Sequence, residues 1–363
     1  MSQQQQRHGP TGIDDPIIEM RDASVTFDMA RGSSRVLDNV DLDIAREEVI
    51  GIVGESGSGK TMFASAILDS VDDPGYLEGE VTYHPEDGEP VDILSLSHDE
   101  LKALRWKEIA FVVQGAQSGF NPTMKIGDHF IETLRTHDAD IQEGMERARQ
   151  LLEDVYLEPK QILESYAHQL SGGQKQRALI ALGLILEPDV LVMDEPTAAL
   201  DLLMQRSIVS LLAELKEEYS LTIVFITHDL ALVTDLADRI AVMYGFDVVE
   251  IGPSEDILSS SGHPYTRKLL NTVPNIGQGT AEMDIIEGSA PDPVNVPPGC
   301  AYAARCPLAD AECRAEKPPY EELSDTHRAK CIHTDEAPDA VPLAVNSMEA
   351  QSGNTGVTTG EVP

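Results

Sequence analysis

Positive charge is scarce in this sequence. Its 363 residues carry 26 Lys and Arg against 63 Asp and Glu, a formal net charge of −37. A surface of that sign repels a phosphate backbone, whose contacts are made by Lys and Arg, so no nucleic-acid partner is expected. Long apolar runs are missing as well. No stretch approaches the roughly 18–20 consecutive apolar residues of a membrane-spanning helix. The polar start, Met1 to Pro10, has no signal-peptide apolar region. The chain is therefore expected to be soluble, inside the cell, and membrane-associated only through partners. Cysteine is sparse and local: all four lie between Cys300 and Cys331. Disulfides are not expected in a cytosolic chain. Acidic excess often means disorder, but 41% hydrophobic residues and clear strand patterns call for a folded core. The charge is read instead as an adaptation to high salt, where self-repulsion is screened.

Residues 48–66 organise what is present. Val49 to Val53 are a short apolar run that reads as a buried strand. Gly54, Glu55, Ser56, Gly57, Ser58, Gly59, Lys60 and Thr61 then match G-x-x-x-x-G-K-[ST], the phosphate loop. The glycines let the backbone turn so that several N–H groups converge on one anion. The helix that follows adds the positive end of its dipole. Lys60 would reach the β- and γ-phosphates, and the Thr61 hydroxyl would bind Mg²⁺.

Strands are expected at Ile17–Phe27 and at Val36–Ile44, the second alternating Val/Leu/Ile with Asp as an antiparallel strand with one wet face does. Residues 72–100 hold short strand candidates at Glu80–Tyr83 and Val91–Leu94, and Ile109–Val113 is a further apolar run ending at Gln114. Helical periodicity marks Asp128–Thr136 and Gln142–Val155, with a third helix after Ser171. Val190–Met193 and Thr222–Ile226 fit central parallel strands around a helix at Leu202–Glu218, and Ile240–Tyr244 with Val248–Ile251 reads as a closing hairpin. Strand–helix alternation around a phosphate loop gives an α/β sheet with a helical subdomain. Beyond about residue 255 the composition shifts to Pro, Gly and Ser, and the stretch from His333 onward is expected to be disordered.

Two further motifs carry chemistry. The apolar strand Val190–Met193 runs into Asp194 and Glu195. Asp194 would face the nucleotide and hold Mg²⁺, and Glu195 is placed to polarise an attacking water as general base. Ser171, Gly172, Gly173 and Gln174 open a helix with a capping-box pattern, a second place where N–H groups and a positive dipole end await a phosphate. One nucleotide does not need two such sites in one chain. The economical reading is that the second reaches a nucleotide held by another subunit.

In order, the phosphate loop, Gln114, Leu170-Ser171-Gly172-Gly173-Gln174, Asp194-Glu195, Ala199-Leu200-Asp201 and Ile226-Thr227-His228-Asp229 resemble the ATPase subunit of an ABC transporter over roughly residues 17–255. The resemblance implies a P-loop ABC nucleotide-binding domain: a mixed sheet core, an antiparallel β subdomain and a helical subdomain. It implies ATP and Mg²⁺ as ligands. Lys60, Thr61 and Asp194 resemble the phosphate and Mg²⁺ residues. Gln114 resembles the Q-loop glutamine that senses Mg²⁺ and touches the membrane partner. Glu195 resembles the catalytic base, His228 the switch histidine, Asp201 the D-loop aspartate, and Ser171 and Gly173 the signature residues that close on ATP across a dimer. Phe27 is the candidate adenine-stacking aromatic. Two departures are visible: Gln114-Gly115-Ala116-Gln117 lacks the usual Gln-Asp-Pro, and Tyr244-Gly245-Phe246 lacks the usual Ala-Gly order.

The tail narrows the resemblance. Gly262-His263-Pro264-Tyr265-Thr266, Leu269-Leu270, Val273-Pro274, Pro297-Pro298-Gly299-Cys300 and Arg305-Cys306-Pro307 resemble the C-terminal extension of oligopeptide/dipeptide transporter ATPases, an extension that nickel and some sugar importers share. The implied partners are two transmembrane permease subunits, a second ATPase chain (identical or related) joined head-to-tail, and indirectly an extracellular solute-binding protein, with the chain at the cytoplasmic face of the membrane. A soluble ABC-type ATPase without a transport role is the competing class. Cys300, Cys306, Cys313 and Cys331 are separated by five, six and seventeen residues. Tight knuckles of zinc sites are absent. Four clustered thiolates fit a [4Fe–4S] cluster, which some ATPases of this branch carry. Zinc and free thiols stay open. The expected organisation is a leader (1–15), a nucleotide-binding domain (16–255, helical subdomain about 115–186), an extension (256–333) and a disordered tail (334–363).

Overall fold

The structure is a computed structural model, and it describes residues 13, 15–30, 32–113, 119–198, 200–273 and 286–344. Along the chain run β1 (Pro16–Met29), β2 (Gly32–Ala45), β3 (Val49–Val53), α1 (Lys60–Ile67), β4 (Gly75–Tyr83), β5 (Val91–Asp92), α2 (His98–Leu104) and β6 (Ile109–Val112). Four helices follow: α3 (Ile126–Thr136), α4 (Ile141–Asp154), α5 (Pro159–Glu164) and α6 (Gly172–Gly183). The chain then returns through β7 (Val190–Asp194), α7 (Leu202–Tyr219), β8 (Thr222–Thr227), α8 (Leu230–Thr234), β9 (Arg239–Tyr244) and β10 (Asp247–Pro253). The C-terminal part holds α9 (Ser254–Ser260), α10 (Pro264–Asn271), α11 (Ala311–Ala315), β11 (Glu321–Glu322) and β12 (Arg328–Ala329).

The main sheet has the order β11-β12-β10-β9-β3-β8-β7-β6. Its centre, β9-β3-β8-β7-β6, is parallel, and β10 and β12 add antiparallel strands at one edge. A second antiparallel sheet has the order β2-β1-β4-β5. The central strands are apolar throughout because both faces are covered. Successive side chains alternate between the faces. Ile50, Ile52, Val190, Val192, Val224 and Ile226 enter one core with Phe63 of α1 and the antiparallel sheet. Val49, Val53, Leu191, Met193, Ile223 and Phe225 enter the other, with the helical layer. Gly51 lies where a Cβ would collide with Val233 of α8, so its missing side chain lets that helix close on the sheet.

Two expectations are corrected. The wet face of the second strand is only partial: Asn39 is exposed and Asp41 half-buried, but Asp43 is fully buried and ion-paired with Arg21, and its carbonyl accepts from Arg239 Nη1 at 3.1 Å. Asp38 is likewise buried, paired with Arg35 at 2.8 Å and Lys317 at 2.5 Å. The tail does not become disordered at His333. Thr334, Ala337, Val341 and Leu343 are buried, and Arg267 of α10 donates to the Val341 carbonyl at 2.5 Å. The last nineteen residues and the first twelve lie outside the described residues. The C-terminal extension also joins the main sheet. Ala329 and Arg328 of β12 pair with Glu250 and Ile251, so the extension continues the main sheet.

Candidate active site

The phosphate loop leaves the C-terminal end of β3 at the middle of the parallel sheet, where a ligand crevice is expected in an open α/β sheet. The loop is threaded between β9 and β2. A Cβ at Gly54 would collide with the Met243 carbonyl. Gly59 sits at φ +106°, and a Cβ there would stand 2.6 Å from the Val36 carbonyl. Gly59 also caps α1 without any side-chain acceptor, so the first N–H groups of the helix are left for a ligand.

Lys60 is buried and crosses the loop, donating to the carbonyls of Gly54 and Glu55, both at 2.9 Å. Burial pulls its pKa below the usual lysine value, opposed by the carboxylates of Glu195, Asp194 and Glu55. Asp194 ends β7 only 2% exposed. Burial raises its pKa above the usual aspartate value, a hydrogen bond from the Thr61 side chain lowers it, and Glu195 raises it further. Its Oδ1 is buried without a hydrogen-bond partner. A desolvated carboxylate oxygen with no donor, beside a threonine hydroxyl, is the donor set a hard cation such as Mg²⁺ uses. The residues present therefore fit that ion.

Glu195 takes a left-handed turn at φ +45°, with its N–H on the Ile226 carbonyl at 2.8 Å. That turn lifts its carboxylate off the strand to the cleft, where Oε1 meets His228 Nδ1 at 3.0 Å. The cleft holds about 560 Å³. Ser56, Gly57, Gly59, Lys60, Thr61 and Glu195 form its polar end. The apolar part of the lining was not foreseen from sequence: Val36, Met62, Phe246, Ala290, Pro291 and Pro293. Arg305 also went unforeseen. It pairs with Glu55 through two bonds of 2.9 and 3.1 Å, and the Glu55 N–H donates to the Tyr265 hydroxyl at 3.0 Å. Nothing in local spacing signals that a proline-rich tail returns to the cleft.

The remaining expected residues gather elsewhere. Ser171 caps α6, its Oγ accepting from the Gln174 N–H at 3.2 Å, while the Gln174 side chain accepts from the Ser171 N–H at 2.9 Å. Asp201 caps α7, accepting from Leu203 and Met204 N–H at 3.1 and 3.0 Å. These two helix starts adjoin. A Cβ on Gly173 would collide with Met204, and one on Gly172 would stand 3.4 Å from Leu200. None of Ser171, Gly172, Gly173, Gln174 or Asp201 is among the residues lining the cleft. Phe27 is half-buried with its ring over Gly75 and is not among the lining residues either. Gln114 lies outside the described residues. The four cysteines are unbridged and all border one small cavity, together with Tyr302 and His333.

Fold and cleft define a phosphate-loop ATPase with a carboxylate–histidine pair at the phosphate end. Residues 37–198 match the ABC transporter family, and residues 249–313 match the oligopeptide/dipeptide transporter C-terminal region. The "Dipeptide transport ATP-binding protein DppD" of Caldanaerobacter subterraneus subsp. tengcongensis is 40% identical over 87% of this chain and 96% of its own length. Its namesake in Lactococcus lactis subsp. cremoris is 36% identical over 91% of this chain and 94% of its own. A solved structure titled "Dimeric structure of a post-hydrolysis state of the ATP-binding cassette MJ0796 bound to ADP and Pi" is 29% identical, covers 65% of this chain and 98% of its own, and superposes with a TM-score of 0.57. The chain belongs to the ATPases of ABC transporters, and it carries the C-terminal region of the oligopeptide/dipeptide branch.

Replacing Glu195 with Gln is expected to leave ATP binding intact and to slow hydrolysis by at least ~100-fold, the contribution of a positioned general base. Equilibrium ATP binding and steady-state phosphate release check this. Near-normal turnover would contradict the role.

Proposed function

We propose that this chain powers an importer of dipeptides or oligopeptides, working at the cytoplasmic face of the membrane beneath two permease subunits supplied by an extracellular solute-binding protein. No helix among the described residues is long and apolar enough to cross a membrane, so translocation itself falls to partners. The observation that carries the reading is the pairing of an intact ATP cleft with the oligopeptide/dipeptide C-terminal region at residues 249–313. Relatives named for dipeptide transport favour peptides over nickel or oligosaccharides as the solute.

Within this reading the chain's residues divide the work. Lys60 and the loop N–H groups bind and orient the phosphates. Thr61 and Asp194 hold Mg²⁺, which when bound supplies charge neutralisation on the phosphoryl oxygens. Glu195 orients an attacking water and takes its proton, and His228 fixes the Glu195 carboxylate. Gln114 links the site to the permease, whereas Phe27, its ring over Gly75 and outside the cleft lining, is not given the adenine. Ser171 and Asp201 are exposed, with Gly173 buried beneath them against Met204, and this helix start is offered to a second ATPase chain, identical or related, docked head-to-tail. Leu202 and Leu203 begin α7 beside them, 74% and 81% exposed, an apolar pair suited to that covered face.

Uptake of a labelled dipeptide into inverted-topology-controlled vesicles holding the whole transporter tests the function. Transport that requires ATP and is lost with Lys60→Ala is expected; nickel or oligosaccharide uptake without peptide uptake contradicts it. The same assay tests our reading of the acidic surface as a high-salt adaptation. Activity should persist in molar KCl, and loss there with activity kept at low salt would contradict that reading.

We also propose that the cysteines hold a [4Fe–4S] cluster. Among the described residues one group of possible metal ligands lies within 4.8 Å, Asp310, Cys313 and His333, and it holds only one of the four thiols. All four thiols border the same small cavity, the setting a four-thiolate cluster needs. Cys300 and Cys331 are pushed up to about 11 and about 12 by burial, with the neighbouring thiols adding to it. Only a strongly cationic group would keep them ionised together. When bound, the cluster would supply a cross-link between the Cys300–Cys313 turn and Cys331. Iron and acid-labile sulfide in anaerobically purified protein, with a broad visible absorption, are expected. Stoichiometric zinc, or four titratable thiols and no metal, would contradict it.

A further inference from the structure

We infer that the segment Ala290–Pro293 of the C-terminal extension is part of the nucleotide site, forming the apolar wall on which the purine and ribose rest. This deepens the ATPase reading and rests on it. The cleft is lined by two chemistries that adjoin. Its phosphate end is made of loop backbone, Lys60, Thr61 and Glu195; its apolar end begins against the loop, with the Phe246 N–H on the Ser58 carbonyl at 3.2 Å, and is made of Val36, Phe246, Ala290, Pro291 and Pro293. A triphosphate matches the first end. The faces of a purine and the carbons of a ribose match the second, which has no charged side chain among those five residues.

The wall is held in place from several sides. The Arg305 guanidinium donates to the carbonyls of Ile286 at 3.0 Å and Glu287 at 2.7 Å, gripping the start of the segment. Arg35 on β2 donates its N–H to the Pro293 carbonyl at 2.8 Å, fixing the end. Between them the Asp292 carboxylate accepts from the Val294 N–H at 3.0 Å, closing a tight turn. Pro291 packs where Gly245 leaves room, its Cγ 3.2 Å from the position a Cβ would take there. Two prolines with fixed φ lose little freedom when a ligand arrives, so the wall is pre-organised. The Arg305 that grips the segment also pairs with Glu55. The wall and the phosphate loop therefore share one anchor and keep a fixed spacing. Phe27 is separate from this wall, so the base gains a contact surface that does not depend on that aromatic.

The test compares two probes on the full chain: MgATP, and magnesium tripolyphosphate, which keeps the phosphates and lacks base and sugar. In the double variant Pro291→Ala/Pro293→Ala, MgATP should bind about 5-fold or more weakly, while tripolyphosphate stays within about 2-fold of wild type, since only apolar base contacts are lost. Equal weakening of both probes would mean that the segment only props the phosphate loop, and would overturn the inference. Unchanged binding of both would overturn it too. Ala290→Trp guards against misfolding, because Ala290 is exposed. It should change MgATP affinity by about 3-fold or more in either direction with tripolyphosphate unchanged, and an unaltered MgATP affinity counts against the wall. A wild-type chain that binds neither probe removes the ATPase reading itself and this inference with it, a result distinct from all of these.

Discussion

The site depends on how closely the phosphate loop is gripped by backbone. Between β3 and α1 the chain passes so near the Met243 and Val36 carbonyls that no side chain fits at Gly54 or Gly59. Lys60 then stitches the loop across itself at Gly54 and Glu55. The N–H groups are thus aimed before any phosphate arrives, and little ordering is left to do on binding. The strands beneath make this possible. β3 is flanked by β8 and β9 in parallel register, so the ends of neighbouring strands deliver the loop, the turn after Thr227 and the turn after Tyr244 to one rim. Asp194 arrives from β7, one strand further out.

Charge accounts for the arrangement inside the cleft. Asp194 and Lys60 attract each other across the cleft, and burial works against the charged form of each. A chain with 63 acidic residues still leaves the Asp194 Oδ1 without a donor, in a pocket where a divalent ion would relieve it. The acidity of the surface and the acidity of the site therefore differ in kind. The first is solvated, and the second is desolvated and chemically committed.

Much of this was legible in the sequence. The runs Val49–Val53, Val190–Met193 and Thr222–Ile226 are continuous apolar segments because both faces of the parallel sheet are covered, and each lies in the strand expected there. The capping pattern at Ser171 and Gln174 forms as its spacing implies. Asp43 was misread because alternation cannot tell a solvated aspartate from one paired to Arg21, a partner brought in from another strand. The tail to Leu343 was misread because it has no period of its own and is ordered by contact with α10. The proline wall escaped for the same reason. Its role comes from Arg35, far away along the chain, and from Arg305, which is tied to Glu55 of the phosphate loop, and not from any local pattern.

On the function proposed above, one polypeptide holds two half-sites. The cleft is lined by the phosphate loop and by Glu195, whose carboxylate meets His228, while Ser171 and Asp201 cap adjoining helices outside that lining. The most direct measurement is on Ser171→Arg, assayed both as the isolated chain and within the assembled transporter. If a second chain supplies the missing half, the isolated variant binds MgATP as wild type does, because Ser171 does not line its own cleft, while the assembly loses hydrolysis. Weakened ATP binding by the isolated variant, or full hydrolysis by the assembly, would contradict the account.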